Sequence, residues 1–253
     1  MKKIYVLGIS GSPRKRGNSE FLLEHALRGA KEVDPKNIET KIVSLAELRI
    51  LPCISCFKCK DIKGCIIKDD FHKIEKEWIK ADAVIYSFPV YHFSVPAQLK
   101  AFIDRLGNST LQKYKVSGSY QVPKFMKVIG AIAQGTHFAS GQEHAIAFII
   151  SHALIMGCIP FSGDLWESYI GLGSWTKLDT SVNALEKLVE QGDFLAKSAV
   201  KGAYTLGRRI AQLAIIIQNG LRNSREFLKE DHCFEFVLNK IMSNTGKEVA
   251  PND

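Results

Sequence analysis

Long hydrophobic runs are missing from this chain. Stretches such as Leu213–Ile217 fall far short of the ~20 apolar residues a membrane helix requires, so no membrane role is expected. The opening Met-Lys-Lys-Ile-Tyr-Val-Leu-Gly lacks the apolar region and cleavage site of a signal peptide. A reducing cytoplasm is therefore the expected compartment. Internal repeats and low-complexity tracts are absent. The seven histidines show no H-x-x-x-H pair, which leaves His72, His144 and His152 as expected helix-face residues. No Gly-Lys-Ser/Thr closes a Walker A loop and no G-x-G-x-x-G is present, which argues against nucleotide triphosphate hydrolysis and a Rossmann dinucleotide site. No Ser-His-Asp or nucleophile-elbow arrangement points to covalent catalysis.

What is present is basic charge. A net charge of +8 and a pI near 9.1 invite a nucleic-acid reading. The basic residues are spread along the chain, however, with no aromatic-interleaved patch, helix-turn-helix or zinc-finger pattern, so no nucleic-acid partner is expected. A zinc-stabilised nucleic-acid-binding module remains the non-enzyme alternative. Lys58, Lys60, Lys63 and Lys68 flank one cysteine-rich segment, and complementary charge of that kind speeds transient encounters with an acidic redox partner.

Four of the six cysteines form Cys53-x2-Cys56-x2-Cys59-x5-Cys65. That spacing wraps four thiolates around one small, soft inorganic centre, and its start matches a ferredoxin-type iron–sulfur run. Structural zinc usually uses two C-x2–4-C knuckles with a longer spacer. A Cys53–Cys56 redox pair would leave Cys59 and Cys65 unexplained. A disulfide framework suits small secreted chains, whereas 253 residues with 46% hydrophobic content can build a core without staples. Cys158 and Cys233 read as ordinary buried cysteines.

The first 160 residues alternate strand-like and helix-like patterns, as an α/β sheet requires. Strands are expected at Ile4–Ile9, Thr40–Leu45, Ala83–Phe88, Lys127–Ala133 and Cys158–Phe161. Helices are expected from Ser19, after a cap at Asp69 or Asp70, from Pro96, and over Gln142–Met156. Phe227, Phe234, Leu238 and Ile241 recur at helical spacing in the tail, as on a packing or subunit-interface helix. The expected organisation is a domain over 1–200 with a helical extension over 201–253.

Two loops carry the chemistry. Ser10-Gly-Ser-Pro-Arg-Lys-Arg-Gly-Asn-Ser19, between the first strand and helix, surrounds a helix N-terminus with small hydroxyl residues and glycines, a setting for a phosphate dianion. Ser87-Phe-Pro-Val-Tyr-His-Phe-Ser-Val-Pro96, after the third strand, offers aromatic surfaces on a stiffened backbone. In the sheet order 2-1-3-4-5 these loops meet at the topological switch point, where a phosphate on the first would set a planar flavin ring beside the second. A third loop, Ala133–Glu143, reaches the same rim; its His137 and Glu143 are given no proton-transfer role.

The motifs G-x-S-G-S-P-R-K-x-G-N-S and S-x-P-V-Y-x-x-S-V-P-A-x-L-K-A-F-I-D-R resemble those of NAD(P)H-dependent FMN reductases of the flavodoxin-like superfamily. With the cysteine run and Asp69-Asp70 added, the chain is similar to the iron–sulfur flavoproteins over residues 1–200. The resemblance implies a flavodoxin-like three-layer α/β sandwich with a five-stranded parallel sheet plus the helical extension. It implies FMN, with Ser10, Ser12, Pro13, Arg14, Asn18 and Ser19 at the phosphate and Pro89, Val90, Tyr91, His92, Phe93, Ser94, Gly135 and Gly141 around the ring. It implies a 4Fe-4S iron–sulfur cluster on Cys53, Cys56, Cys59 and Cys65, and a homodimer or homotetramer. Electrons would come from a ferredoxin-like acidic donor or from NAD(P)H. The alternative is an NAD(P)H-dependent FMN or quinone reductase whose cysteines are empty or zinc-bound.

Overall fold

The computed structural model of the chain describes residues 3–116, 119–164 and 166–243. Strand β1 (Ile4–Ser10) lies between β2 (Ile38–Ser44) and β3 (Ala83–Pro89), and β3 pairs with β6 (Val128–Gly135). All these pairs are parallel. A short hairpin, β4 (Lys115–Val116) with β5 (Ser119–Tyr120), stands apart from the sheet. β3 and β6 are buried almost throughout, as near-continuous apolar strands covered on both faces must be.

The order β2-β1-β3-β6 continues into β7 (Ile159–Pro160), so the expected 2-1-3-4-5 winding is present. The fifth position is split, however. β7 pairs with Val128 and Ile129, whereas β8 (Leu172–Trp175) pairs with Ile132–Gly135 further along the same strand. Residues 161–164 and 166–171 lie outside the sheet between them. The sheet thus has six strands where five were expected, because a four-residue segment containing Gly173 and Ser174 has little strand character until β6 offers it an edge.

One face of the sheet packs on α3 (Phe71–Lys80), α4 (Ala97–Lys113) and α5 (Gln142–Ile155) through Trp78, Phe71, Phe102 and Tyr86. The other packs on α1 (Asn18–Lys31), α6 (Ala184–Glu190) and α7 (Phe194–Asn223). α1 and α7 cross in close contact: a Cβ on Gly207 would lie 1.7 Å from the Ala26 carbonyl oxygen, so only glycine permits that approach. The expected division at 200/201 falls inside α7. Ala196 through Ala214 of this one helix fill the core with α1, so no break occurs there.

The tail continues as α8 (Arg225–Leu228), a 3-10 turn at His232–Phe234 and α9 (Glu235–Ser243). α9 folds back on the N-terminal ends of β3 and β6. Val237 and Ile241 pack with Leu221, Phe236 meets Phe125 edge-on, and Lys240 pairs with Asp82 at 2.8 Å. This is packing within the chain, as the Phe234–Leu238–Ile241 spacing suggested. Phe227, on α8, is exposed instead. Cys158 is buried as expected, but Cys233 is half-buried on the 3-10 turn beside exposed Asp231 and His232.

Candidate functional site

Because the strands are parallel, their carboxyl ends share one rim: Ser10, Ser87–Pro89, Gln134–Gly135 and Ser174–Trp175. The loop after β1 closes tightly there, with the Gly11 amide donating to the Ser87 carbonyl (2.8 Å) and the Arg14 amide to Ser12 Oγ (3.1 Å). Ser10, Ser12, Asn18 and Ser19 are buried around the start of α1, with Pro13 half-buried and Arg14 exposed. The hydroxyls of Ser10 and Ser19 are buried without a hydrogen-bond partner. Two orphaned hydroxyls beside helix amides are a ready anion cradle, and a flavin phosphate fits it.

Asn18 is differently employed. Its Nδ2 donates to the Ser181 carbonyl (3.0 Å) and its Oδ1 accepts from the Leu185 amide (2.9 Å). Arg14 Nη1 donates to the Thr180 carbonyl (2.7 Å). Together they fasten residues 176–185 across the rim, whose other end is held by the Thr176 amide on Gly135 and the Leu178 amide on Thr136. Both residues are expected at the phosphate; here their side chains tie down a strap that carries no sequence motif.

At the end of β3 the Val90 amide donates to the Gln134 carbonyl, and Tyr91 and Ser94 exchange backbone hydrogen bonds of 2.9 and 3.0 Å. The two residues between them, His92 and Phe93, both have positive φ (46° and 62°), a primed turn built without glycine. The turn projects Tyr91, His92 and Phe93 outward, while Pro89, Val90 and Ser94 are half-buried beneath them. Gly141, at φ 92°, lets this turn come close: a Cβ there would sit 2.4 Å from Phe93 Cδ1. Gly135 is similarly hemmed by Ser140 and Gln142. An open cleft of about 430 Å³ lies between Phe93, Phe138, Gln142, Ser174 and Trp175. Its aromatic walls suit a flat ring. His137 Nδ1 accepts from the Ala139 amide and Glu143 meets the Tyr169 hydroxyl.

The cysteine loop lies along α4. Cys59 is buried at the start of α2 (Cys59–Ile62), and Cys53, Cys56 and Cys65 are half-buried, all four as free thiols. Ser55 and Phe57, on either side of Cys56, and Lys63 adopt positive φ of 50–55°, curling the chain inward. Burial pushes the Cys59 thiol up, and the nearby sulfurs of Cys65, Cys56 and Cys53 push it the same way. Among the described residues the one trio of His, Cys or acidic ligand atoms within 4.8 Å is Asp231, His232 and Cys233. No three of the four loop sulfurs lie within 4.8 Å of one another. Four thiolates on one loop are a donor set that an iron–sulfur cluster fits.

The stems of this loop are clamped by a fully buried ion pair. Arg105, on α4, donates through Nη1 to Asp69 Oδ2 (2.5 Å) and the Leu51 carbonyl (3.2 Å), and through Nη2 to the Ile67 carbonyl (3.0 Å). Asp69 accepts from the Leu51 and Phe71 amides. Burial alone would raise the Asp69 carboxyl, but Arg105 and these amides outweigh it and hold it below the usual range. Asp69, rather than Asp70, thus serves the first turn of α3. Asp70 instead accepts from the Arg49 amide.

A family model described as NADPH-dependent FMN reductase matches residues 4–166. The chain belongs to that family. An iron–sulfur flavoprotein of Methanocaldococcus jannaschii is 34% identical over 74% of this chain and 99% of its own length. Another, from Archaeoglobus fulgidus, is 30% identical over 87% and 99%. An FMN-dependent NADH:quinone oxidoreductase of Methylobacterium radiotolerans is 32% identical over 40% and 52%. Among solved structures, an NAD(P)H:quinone oxidoreductase from Methanothermobacter marburgensis superposes with a TM-score of 0.58 at 15% identity, covering 82% of this chain and 96% of its own. That likeness confirms the flavodoxin-like fold. The protein is an FMN-dependent oxidoreductase.

Three parts of the candidate site escaped sequence reasoning. The strap at 176–185 carries no motif and is tied down by backbone groups. β8 is too short to register. Arg105 stood in view at the end of F-I-D-R, yet a lone arginine does not announce which carboxylate it will meet.

Proposed function

We propose that this chain is an electron-transfer flavoprotein in which Cys53, Cys56, Cys59 and Cys65 ligate a 4Fe-4S cluster and the sheet's rim seats FMN. The observation that carries this reading is the set of four free thiols on one loop clamped at both stems, in a chain of the NADPH-dependent FMN reductase family. The cluster would supply single electrons and FMN one or two. Ser10, Ser12, Ser19 and the first amides of α1 would hold the phosphate, with Pro13 shaping the loop and Arg14 and Asn18 holding the strap. Pro89, Val90, Tyr91, His92, Phe93 and Ser94 would border the ring, with Gly135 and Gly141 leaving room for it.

Lys58, Lys60, Lys63 and Lys68 are exposed around the loop, and Ile54, Phe57 and Ile62 project between them. A basic surface with apolar tips suits an acidic, ferredoxin-like donor. The Phe93–Phe138–Trp175 cleft favours a second source of electrons, NAD(P)H arriving at the ring. Ala97, next to the ring turn, and Asn108, beside Cys53, stand eleven residues apart on α4, about 17 Å of helical rise. That separation supports a homo-oligomer in which each rim meets a neighbouring chain's cysteine loop.

Anaerobic purification with metal, sulfide and flavin assays tests the reading. About four iron and four sulfide per chain are expected, with FMN. Cys59→Ala should lose the cluster's absorbance and keep the yellow flavin. Zinc, or no metal, in the wild-type protein would leave an FMN or quinone reductase without a cluster.

A further inference from the structure

We infer that Asn108 is a positioning residue for the cysteine loop, donating an N–H to the Cys53 sulfur and thereby setting the potential of the centre held there. This rests on the cluster reading above. Asn108 Nδ2 lies 3.5 Å from Cys53 Sγ, within reach for a hydrogen bond to sulfur.

Two features make that contact more than a chance meeting of surface groups. Asn108 is one turn beyond Arg105 on α4, so both project from the same side of one helix. Arg105 fixes Leu51, two residues before Cys53, and Ile67, two residues after Cys65, from a side chain with no solvent exposure. The loop is thus registered against α4 at both stems, and the Asn108 amide is held opposite its first thiol by a frame that does not depend on Asn108. The segment from Arg105 to Asn108 therefore does two jobs: one turn secures the loop and the next addresses a ligand.

The chemical consequence follows from charge. Reduction by one electron adds negative charge to the centre and its thiolate ligands. A donor aimed at a ligand sulfur favours the more negative state, and hydrogen bonds to sulfur are among the determinants of cluster potential. Removing the donor should therefore disfavour reduction without removing a ligand.

The test compares anaerobically prepared wild-type protein with Asn108→Leu and Asn108→Gln, the second keeping an amide on a longer arm. Iron, sulfide and FMN per chain are measured first, then the midpoint potential by redox titration of the cluster's absorbance and paramagnetic signal. Asn108→Leu is expected to keep its iron and FMN and to shift the midpoint negative. The shift should approach a tenfold loss in the reduced-to-oxidised ratio, about 59 mV for one electron. Asn108→Gln should recover part of that shift, and the flavin potential should not move. An unchanged midpoint in an iron-replete Asn108→Leu protein would overturn the inference while leaving the cluster reading intact. Wild-type protein without iron and sulfide would overturn both. If Asn108→Leu sheds its iron, wild-type protein labelled with nitrogen-15 asparagine decides the matter. Hyperfine coupling between the reduced centre and an asparagine nitrogen supports the contact, and its absence overturns it.

Discussion

His152 shows how far a residue's surroundings can depart from its place in a sequence. Expected on a helix face, it lies on α5 and is buried there, with Tyr86 edge-on at 6.1 Å and no partner for its Nε2. Burial lowers its pKa from 6.5 to about 4, with the charge of Asp104 opposing the shift. The folded protein therefore holds a neutral imidazole where the unfolded chain would take a proton. Its contribution to stability is complete above pH 6.5, is lost as the pH falls from there to about 4, and changes no further below. The full loss is about 3 kcal/mol. Denaturant titrations at pH 7 and pH 4.5 should show a fall that His152→Gln largely removes. An equal fall in both proteins would mean that other groups govern the acid side.

At the scale of elements, the loops are set by partners elsewhere in the chain. The Asp69–Arg105 pair lies between the first turn of α3 and the middle of α4 and fixes both stems of the cysteine loop. Removing one partner leaves the other charged in a dry site, at a cost of about 3–5 kcal/mol. Asp69→Asn should lower unfolding stability by that amount and speed iron loss, while FMN binding at the distant rim stays near wild type. Stability, iron-release rate and flavin affinity measured together separate this outcome from general unfolding, which would lower flavin affinity as well. The strap at 176–185 follows the same logic, since Asn18 and Arg14 join it to the phosphate loop through backbone carbonyls and an amide.

For the molecule as a whole, the two edges of the sheet are divided between function and closure. The carboxyl rim gathers the loops proposed for FMN. The amino edge is covered by α9, where Lys127 is buried with its amine on the Ile79 and Ala81 carbonyls. Burial and the charge of Lys240 lower the Lys127 pKa well below the ordinary lysine value. A chain ending at Asn223 would uncover Phe125, Lys127 and Asp82. Its melting temperature should fall by several degrees, at about 2–4 °C per kcal/mol for a chain near this size, with FMN affinity unchanged. A flavin affinity that falls along with the melting temperature would show that the tail supports the rim as well.

Much of this was legible beforehand because it is local. Apolar periods of two and of three to four residues define the strands and helices, and parallel winding then carries the loops after β1 and β3 to one rim. The Ser10–Ser19 loop and the four-cysteine run could be read directly, since a phosphate cradle and a thiolate cage are both short-range patterns of residue type. The tail's apolar spacing likewise gave α9, although not the surface it would cover.

By itself, then, the order of residues determined the fold class, the FMN reductase motifs and the identity of the four thiols. Only the tertiary structure decided that Asn18 and Arg14 serve a strap, that the fifth strand is split, that α7 runs through the expected boundary, and that Arg105 and Asn108 address the cysteine loop. All but the course of α7 depend on pairing between groups tens of residues apart. A side chain's reach and chemistry are written in the sequence, but its partner is chosen by packing.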